Sequence, residues 1–168
     1  CPGGFGFAKA AGNYAAALLA STEAKEKGYD QVLWTDVNEH KYVQEMGTMN
    51  VFFIISDTVY TPDLSQGTIL AGITRDSAIT IFKEMGLKVV EGPISMDTLV
   101  DAYKSGNLQE AFGAGTAATI SMMQELAYRD LIMKFNVNGS KYAPELKKRL
   151  DDIKYGHVKD THGWVFHV

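Results

Sequence analysis

The run from Asn50 to Ser56, NVFFIIS, constrains this chain more than any other segment. A short, nearly unbroken apolar run predicts a strand buried on both faces, so other elements must cover it from two sides. Glu45 and a Gly47-Thr48 turn lead into it. Asp57 turns it, and Val59 to Thr61 returns before Pro62. The segment closes with LAGITRD, which places Gly72 at the mouth of a helix. A carboxylate beside a buried strand is costly without a partner. A helix entrance presents free N–H groups to an anion. Glu45 to Arg75 therefore offers a partner for a cation and a cradle for an anion, which a small zwitterionic ligand satisfies.

The remaining sequence predicts alternating strands and helices. Gly12 to Lys27 reads as a helix with Tyr14, Leu18 and Leu19 on one face, closed by Gly28. Gln31 to Thr35 and Lys41 to Glu45 pair as a hairpin around Asn38-Glu39. Thr74 to Met85 is a helix, with Thr74 as a candidate N-cap, and Leu87 to Glu91 is a strand. Ser95 caps a helix over Met96 to Lys104. Glu110 to Phe112 and Thr119 to Met122 flank a GAGTAA turn. Tyr128 to Phe135 is a last strand region, and Pro144 to Ile153 a charged amphipathic helix. The fold class expected is α/β (α+β): one domain over residues 1–168, with a mixed sheet curled into a pseudo-barrel and flanking helices.

Several functions are disfavoured. The net charge of -4 gives no basic footprint for nucleic acid. No apolar run approaches the ~20 residues that cross a bilayer. One cysteine, Cys1, excludes internal disulfides and fits a reducing compartment. The four histidines show no metal-ligand spacing, and His157 and His162 read as surface residues. No metal is expected. The chain starts without Met, at CPGGFGF, which suggests a piece of a longer protein.

Four features carry chemistry. Lys9 lies among Gly3, Gly4, Gly6 and Gly12, whose small size lets a planar group approach the backbone. In a dry pocket such a lysine loses its proton more easily, as Schiff-base chemistry requires. Lys9 taken alone fits better an exposed lysine before a helix. The glycines match neither a P-loop nor a dinucleotide fingerprint. Glu45 is the acid and Gly72-Ile73-Thr74 one anion site. Gly113-Ala114-Gly115-Thr116 is either an ordinary turn or a backbone nest for a second anion.

This pattern resembles the class IV, fold-type IV pyridoxal-phosphate aminotransferases. Their signature is filled by Glu45, Gly47, Asn50, Val51 and Phe52, then Val59 and Thr61, then Leu70, Gly72, Ile73 and Arg75. Within the class the chain looks like the C-terminal large domain of a branched-chain amino-acid aminotransferase. Lys9 with Gly12-Asn13-Tyr14 resembles the subfamily's KxGGNY, with Ala11 replacing a glycine. Asp30 to Trp34, EMGTMN, Gly115 to Ala118, Tyr155-Gly156, Gly163-Trp164 and Val168 match as well.

The resemblance implies pyridoxal 5′-phosphate as cofactor and transamination of Leu, Ile or Val with 2-oxoglutarate. It implies small amino-acid and 2-oxo-acid partners, a homodimer and a cytoplasmic location. Lys9 is implied as the catalytic residue, carrying the cofactor as an internal aldimine and shuttling the Cα proton. Tyr14 meets the ring hydroxyl and Glu45 the ring nitrogen, while Leu70 packs on the ring face. Ile73 and Thr74 backbone N–H groups and the Thr116 side chain hold the phosphate. Thr48, Ala117 and Ala118 meet the substrate carboxylate. A D-amino-acid aminotransferase, an aminodeoxychorismate lyase and a non-catalytic domain that kept the fold are the alternatives.

Three departures stand out. Ala71 replaces the usual proline of the phosphate turn. Ala118 and Ser121 stand where mammalian forms have a CxxC pair, so thiol regulation is not expected and a bacterial-type enzyme is indicated. An N-terminal domain with its phosphate-binding arginine has no counterpart, so the piece alone is expected to bind cofactor weakly and to be nearly inactive.

Overall fold

The computed structural model describes residues 1–166. Val168 lies outside the described residues. Two short helices, α1 (Ala11–Ala16) and α2 (Leu18–Glu26), open the chain. They are followed by strands β1 (Leu33–Thr35), β2 (Val43–Met46), β3 (Met49–Ile55) and β4 (Thr58–Thr61). Next come α3 (Ile73–Glu84), β5 (Lys88–Glu91), α4 (Met96–Lys104), β6 (Leu108–Gly115) and β7 (Thr119–Met122). β8 (Glu125–Tyr128), β9 (Leu131–Lys134) and α5 (Tyr142–Lys154) complete the order.

The apolar run is the spine of a seven-stranded sheet. β6 pairs antiparallel with β3 from Asn50 to Ile55. Its other edge is shared by β2 near Asn50 and by β4 from Phe53 to Ile55. β4 pairs in parallel with β5, so the sheet is mixed as expected. It does not close into a barrel: β1, β5 and β7 end the pairing at three separate edges. Two strands share one edge of β3, so the sheet branches rather than curling round to meet itself.

Alternation along β3 builds a core on each face. Val51 and Phe53 enter one cluster with Leu99, Leu108 and Met133. Phe52 and Ile54 enter the other with Ile81, Phe82 and Leu146 of α3 and α5. Phe52 stacks on Phe112 with centroids 5.4 Å apart, and Phe82 tilts against both rings. Each such ring pair adds about 1 kcal/mol beyond its burial. Ser56 and Asp57 both have positive φ, the geometry of a two-residue turn between β3 and β4. Asp57 then accepts from the Tyr142 hydroxyl at 2.5 Å, tying that turn to α5.

The structure corrects several expectations. The helix over 12–27 is broken at Ala17, and neither half buries a residue. Leu18 and Leu19 are exposed, because alanine-rich turns offer too little apolar surface to be drawn onto the sheet. The strand expected over 128–135 is β9, and it is preceded by a partner, β8, that the sequence reading lacked; the two form a hairpin that turns at Arg129. β6 is eight residues long and absorbs the first part of GAGTAA. Ser95 caps α4 as predicted, accepting from the Thr98 N–H at 3.0 Å.

Candidate functional site

Glu45 pairs with Asn50 across the β2–β3 ladder, so both side chains share one face. By alternation it is the face of Phe52 and Ile54, which α3 covers. The turn joining the two strands is fixed from behind. Gly47 has φ 58°, and a Cβ there would lie 1.9 Å from Gln31 Oε1. Only glycine makes this turn without displacing Gln31. The Trp34 indole N–H donates to the Gly47 carbonyl at 2.9 Å, and the Gly47 N–H to the Val32 carbonyl at 2.8 Å. Thr48 is left exposed at the tip.

Asn50 is 5% exposed and hydrogen-bonded on both sides. Its Nδ2 donates to the Leu70 carbonyl at 2.9 Å and reaches Glu45 Oε1 at 3.5 Å. Burial pushes the Glu45 carboxyl up to about 7, against the opposing pull of the Leu70 N–H and the Lys9 charge. Glu45 is therefore a desolvated acid near neutrality, with a cation close enough to act on it.

That cation is delivered by the glycine-rich arm. A Cβ on Gly6 would lie 2.6 Å from the Thr68 carbonyl oxygen, so the arm runs directly over the loop leading to Leu70. Asn13 clamps it by donating to the Phe5 carbonyl at 2.8 Å and the Ala8 carbonyl at 3.0 Å. The Thr68 hydroxyl in turn donates to the Gln44 side chain. Lys9 Nζ donates to the Tyr14 hydroxyl at 3.1 Å. Lys9 is exposed, so the glycine-rich neighbours alone do not form a dry pocket around it.

The anion cradle forms at α3. Gly72, not Thr74, is the N-cap, and no side chain caps the helix. Thr74 lies one residue inside the first turn. The N–H groups of Ile73, Thr74 and Arg75 therefore lack carbonyl partners within the helix. Ile73 is 81% exposed. Arg75 points the other way and is 4% exposed. Its Nη2 donates to the Pro62 carbonyl and to Glu91, both at 2.9 Å.

The second anion site is not a nest. Gly113, Ala114 and Gly115 are strand residues of β6, under Met46 and Met49: a Cβ at Gly113 would lie 2.5 Å from Met46 Cε. These glycines make room for methionine. Thr116, Ala117 and Ala118 form the exposed three-residue turn between β6 and β7. Because Ala114 pairs with Asn50, this turn and the Gly47-Thr48 turn lie at the same end of the sheet.

Lys9 and Tyr14 are thus in contact, and Glu45 and Leu70 are brought together with Asn50 beside them. Ile73 and Thr74 follow at the helix entrance, and Thr48 and Thr116 to Ala118 stand at the neighbouring sheet end. The bridging role of Asn50, the clamp of Asn13 and the burial of Arg75 were not read from sequence. A lone amide inside NVFFIIS was the available signal, since a buried Asn must find partners.

The family model for amino-transferase class IV matches residues 8–125. A "Probable branched-chain-amino-acid aminotransferase" of Staphylococcus aureus (strain N315) is 48% identical over 166 residues, covering 96% of this chain and 45% of that protein. "Branched-chain-amino-acid aminotransferase 2" of Bacillus subtilis (strain 168) is also 48% identical, over 99% of this chain and 46% of its own length. The chain spans about half the length of the curated relatives it matches. Among solved structures, the Escherichia coli branched-chain amino acid aminotransferase superposes with a TM-score of 0.81 at 30% identity, covering 96% of this chain and 51% of that one. A second branched-chain amino acid aminotransferase, from T.th. and complexed with N-(5′-phosphopyridoxyl)-L-glutamate, gives 0.80 at 29%, over 96% and 50% of the two chains. This chain belongs to the class IV aminotransferases.

Proposed function

We propose that this chain is the cofactor-holding part of a pyridoxal 5′-phosphate-dependent transaminase. Its substrates are leucine, isoleucine and valine, with 2-oxoglutarate as amino acceptor. Glu45 carries the reading: a desolvated carboxyl near neutrality, set between an amine and an uncapped helix entrance. This donor set fits pyridoxal phosphate, which has a basic ring nitrogen, an aldehyde and a phosphate. Relatives named for branched-chain amino acids support the substrate class. The phosphopyridoxyl-glutamate complex of a structural neighbour supports glutamate and 2-oxoglutarate as the second pair.

When bound, the cofactor supplies an electron sink for the bonds at the substrate Cα. Glu45 holds a proton at the ring nitrogen. Lys9 binds the cofactor covalently and moves the proton at the substrate Cα, with Tyr14 orienting its Nζ and holding the ring hydroxyl. Leu70 packs on the ring face. The N–H groups of Ile73 and Thr74, helped by the helix dipole, hold the phosphate together with the Thr116 hydroxyl. Thr48 and the backbone at Ala117 and Ala118 receive the substrate carboxylate. Ala71 leaves these donors in place, because the free N–H groups follow it.

Lys9, Ile73 and Thr116 stand at the surface, so the 168-residue chain alone binds cofactor weakly and turns over little. A cytoplasmic homodimer belongs to the same proposal. The exposed Phe5, Phe7, Leu18 and Leu19 support a covering partner surface, and among the described residues no helix is long and apolar enough to cross a membrane. The test is an amino-acid spectrum of the protein carrying this chain. Leucine, isoleucine and valine with 2-oxoglutarate should react fastest. Preference for D-amino acids, or pyruvate release from aminodeoxychorismate, would overturn the reading.

A further inference from the structure

We propose that Asn50 is a positioning residue that locks the Glu45 acid and the α3 entrance at one fixed separation, through an amide seated in the space left by Gly72. The inference rests on the functional reading above, in which those two groups hold opposite ends of one cofactor.

Two of the bonds around Asn50 converge on the Leu70 carbonyl. Asn50 Nδ2 and the Gly72 N–H both donate to the Leu70 carbonyl, each at 2.9 Å. On the other side Nδ2 faces Glu45. Oδ1 occupies the place of a side chain at residue 72: a Cβ on Gly72 would lie 2.2 Å from it. Gly72 has φ -70° and ψ 133°, which any residue adopts, so it is glycine for room and not for backbone freedom. Three residues on, Arg75 anchors the same turn to Pro62. Thr61, adjacent to Pro62, donates to the Val51 carbonyl at 2.8 Å, and Val51 follows Asn50. A loop 20 residues distant from Asn50 in sequence is thereby held to β3 at two points.

A rigid two-ended ligand rewards this arrangement. If the acid and the phosphate turn moved independently, each end would still bind its fragment, but the whole cofactor would lose the advantage of meeting both at once.

Asn50→Ala, Gly72→Ala and the double variant separate the possibilities. Binding of pyridoxal phosphate, of pyridoxal and of inorganic phosphate is measured for each in the protein carrying this chain, with thermal unfolding in parallel. Pyridoxal phosphate affinity should fall between roughly tenfold and 100-fold in each single variant. Pyridoxal and inorganic phosphate should change by no more than about twofold, the scatter of independent sites. Gly72→Ala should add little to Asn50→Ala, since the amide it displaces is already gone. Equal weakening of all three ligands, or losses that multiply in the double variant, would overturn the proposal. If Asn50→Ala does not fold, Asn50→Ser, which cannot span both partners, is read the same way. Wild-type affinity for pyridoxal phosphate in both single variants overturns the positioning role alone. No binding by the unsubstituted protein carrying this chain overturns the functional reading itself.

Discussion

Asn50 and Gly72 are complementary in shape: the amide oxygen of one lies 2.2 Å from where a Cβ of the other would be. The strand that dominates the sequence is thereby keyed to the helix entrance 22 residues after Asn50. In this site a glycine serves an asparagine, and the asparagine serves an acid.

Stability should register that fit even without cofactor. Gly72→Ala forces the amide aside in a buried setting, and overpacking of this kind costs about 1–3 kcal/mol. Urea unfolding of the apo chain reads it. A change below ~0.5 kcal/mol, the usual surface effect, would show that Asn50 moves freely.

The pH dependence of stability should carry the signature of Glu45. Its folded pKa is raised from 4.5 to about 7, so the folded chain binds that proton more tightly than the unfolded chain does. The contribution is fully present below pH 4.5, declines as pH rises, and is lost above about 7. Asp36 acts oppositely, because N–H donors from Tyr42 and Glu39 hold it down to about 2. Its contribution is lost only as acid protonates it, below pH 3.8. Unfolding free energies measured from pH 4.5 to 7 should fall with pH, and Glu45→Gln should flatten that slope. A slope unchanged by the substitution would place the shift elsewhere.

Much of the fold was legible because its signals are local. The β1–β2 hairpin, α3, α4, the β4–β5 order and the central strand all follow from apolar period and caps, and Gly28, Gly86 and Gly106 stop helices with positive φ. What escaped depends on neighbours distant in sequence. Gly113 and Gly115 read as either an ordinary turn or an anion nest, yet they are strand residues that admit Met46 and Met49. Leu18 and Leu19 are spaced for one helical face, and among the described residues that face stays exposed. In the site, the motif named Lys9, Tyr14 and Glu45, and the structure sets Lys9 against Tyr14 and Glu45 beside Asn50. The ties of Asn50 to Leu70 and of Arg75 to Pro62 and Glu91 were not legible, since a hydrogen bond across many residues leaves no spacing to read.

Glu110 supplies a contrast outside the site. It is 5% exposed and accepts three N–H groups at the start of α5, from Lys141 at 2.5 Å and from Tyr142 and Ala143 at 2.8 Å. Glu110→Ala strands these donors and should cost about 1–3 kcal/mol. Pyridoxal phosphate affinity per folded molecule should not change. Thermal unfolding and a binding titration on the same sample check both halves.

Arg75 should tolerate lysine poorly. One Nη2 serves both Pro62 and Glu91, and a single ammonium does not reproduce a planar guanidinium packed at 4% exposure. Arg75→Lys should cost about 1–2 kcal/mol, read by urea unfolding. A neutral result would show that the α3 entrance is held by Asn50 without help.

The most direct measurement is chemical trapping. The protein carrying this chain is incubated with pyridoxal phosphate, reduced with borohydride and mapped by peptide mass. The account predicts a phosphopyridoxyl group on Lys9 that disappears in Lys9→Ala and weakens in Glu45→Gln. Labelling spread evenly over the surface lysines, with no preference for Lys9, would contradict it.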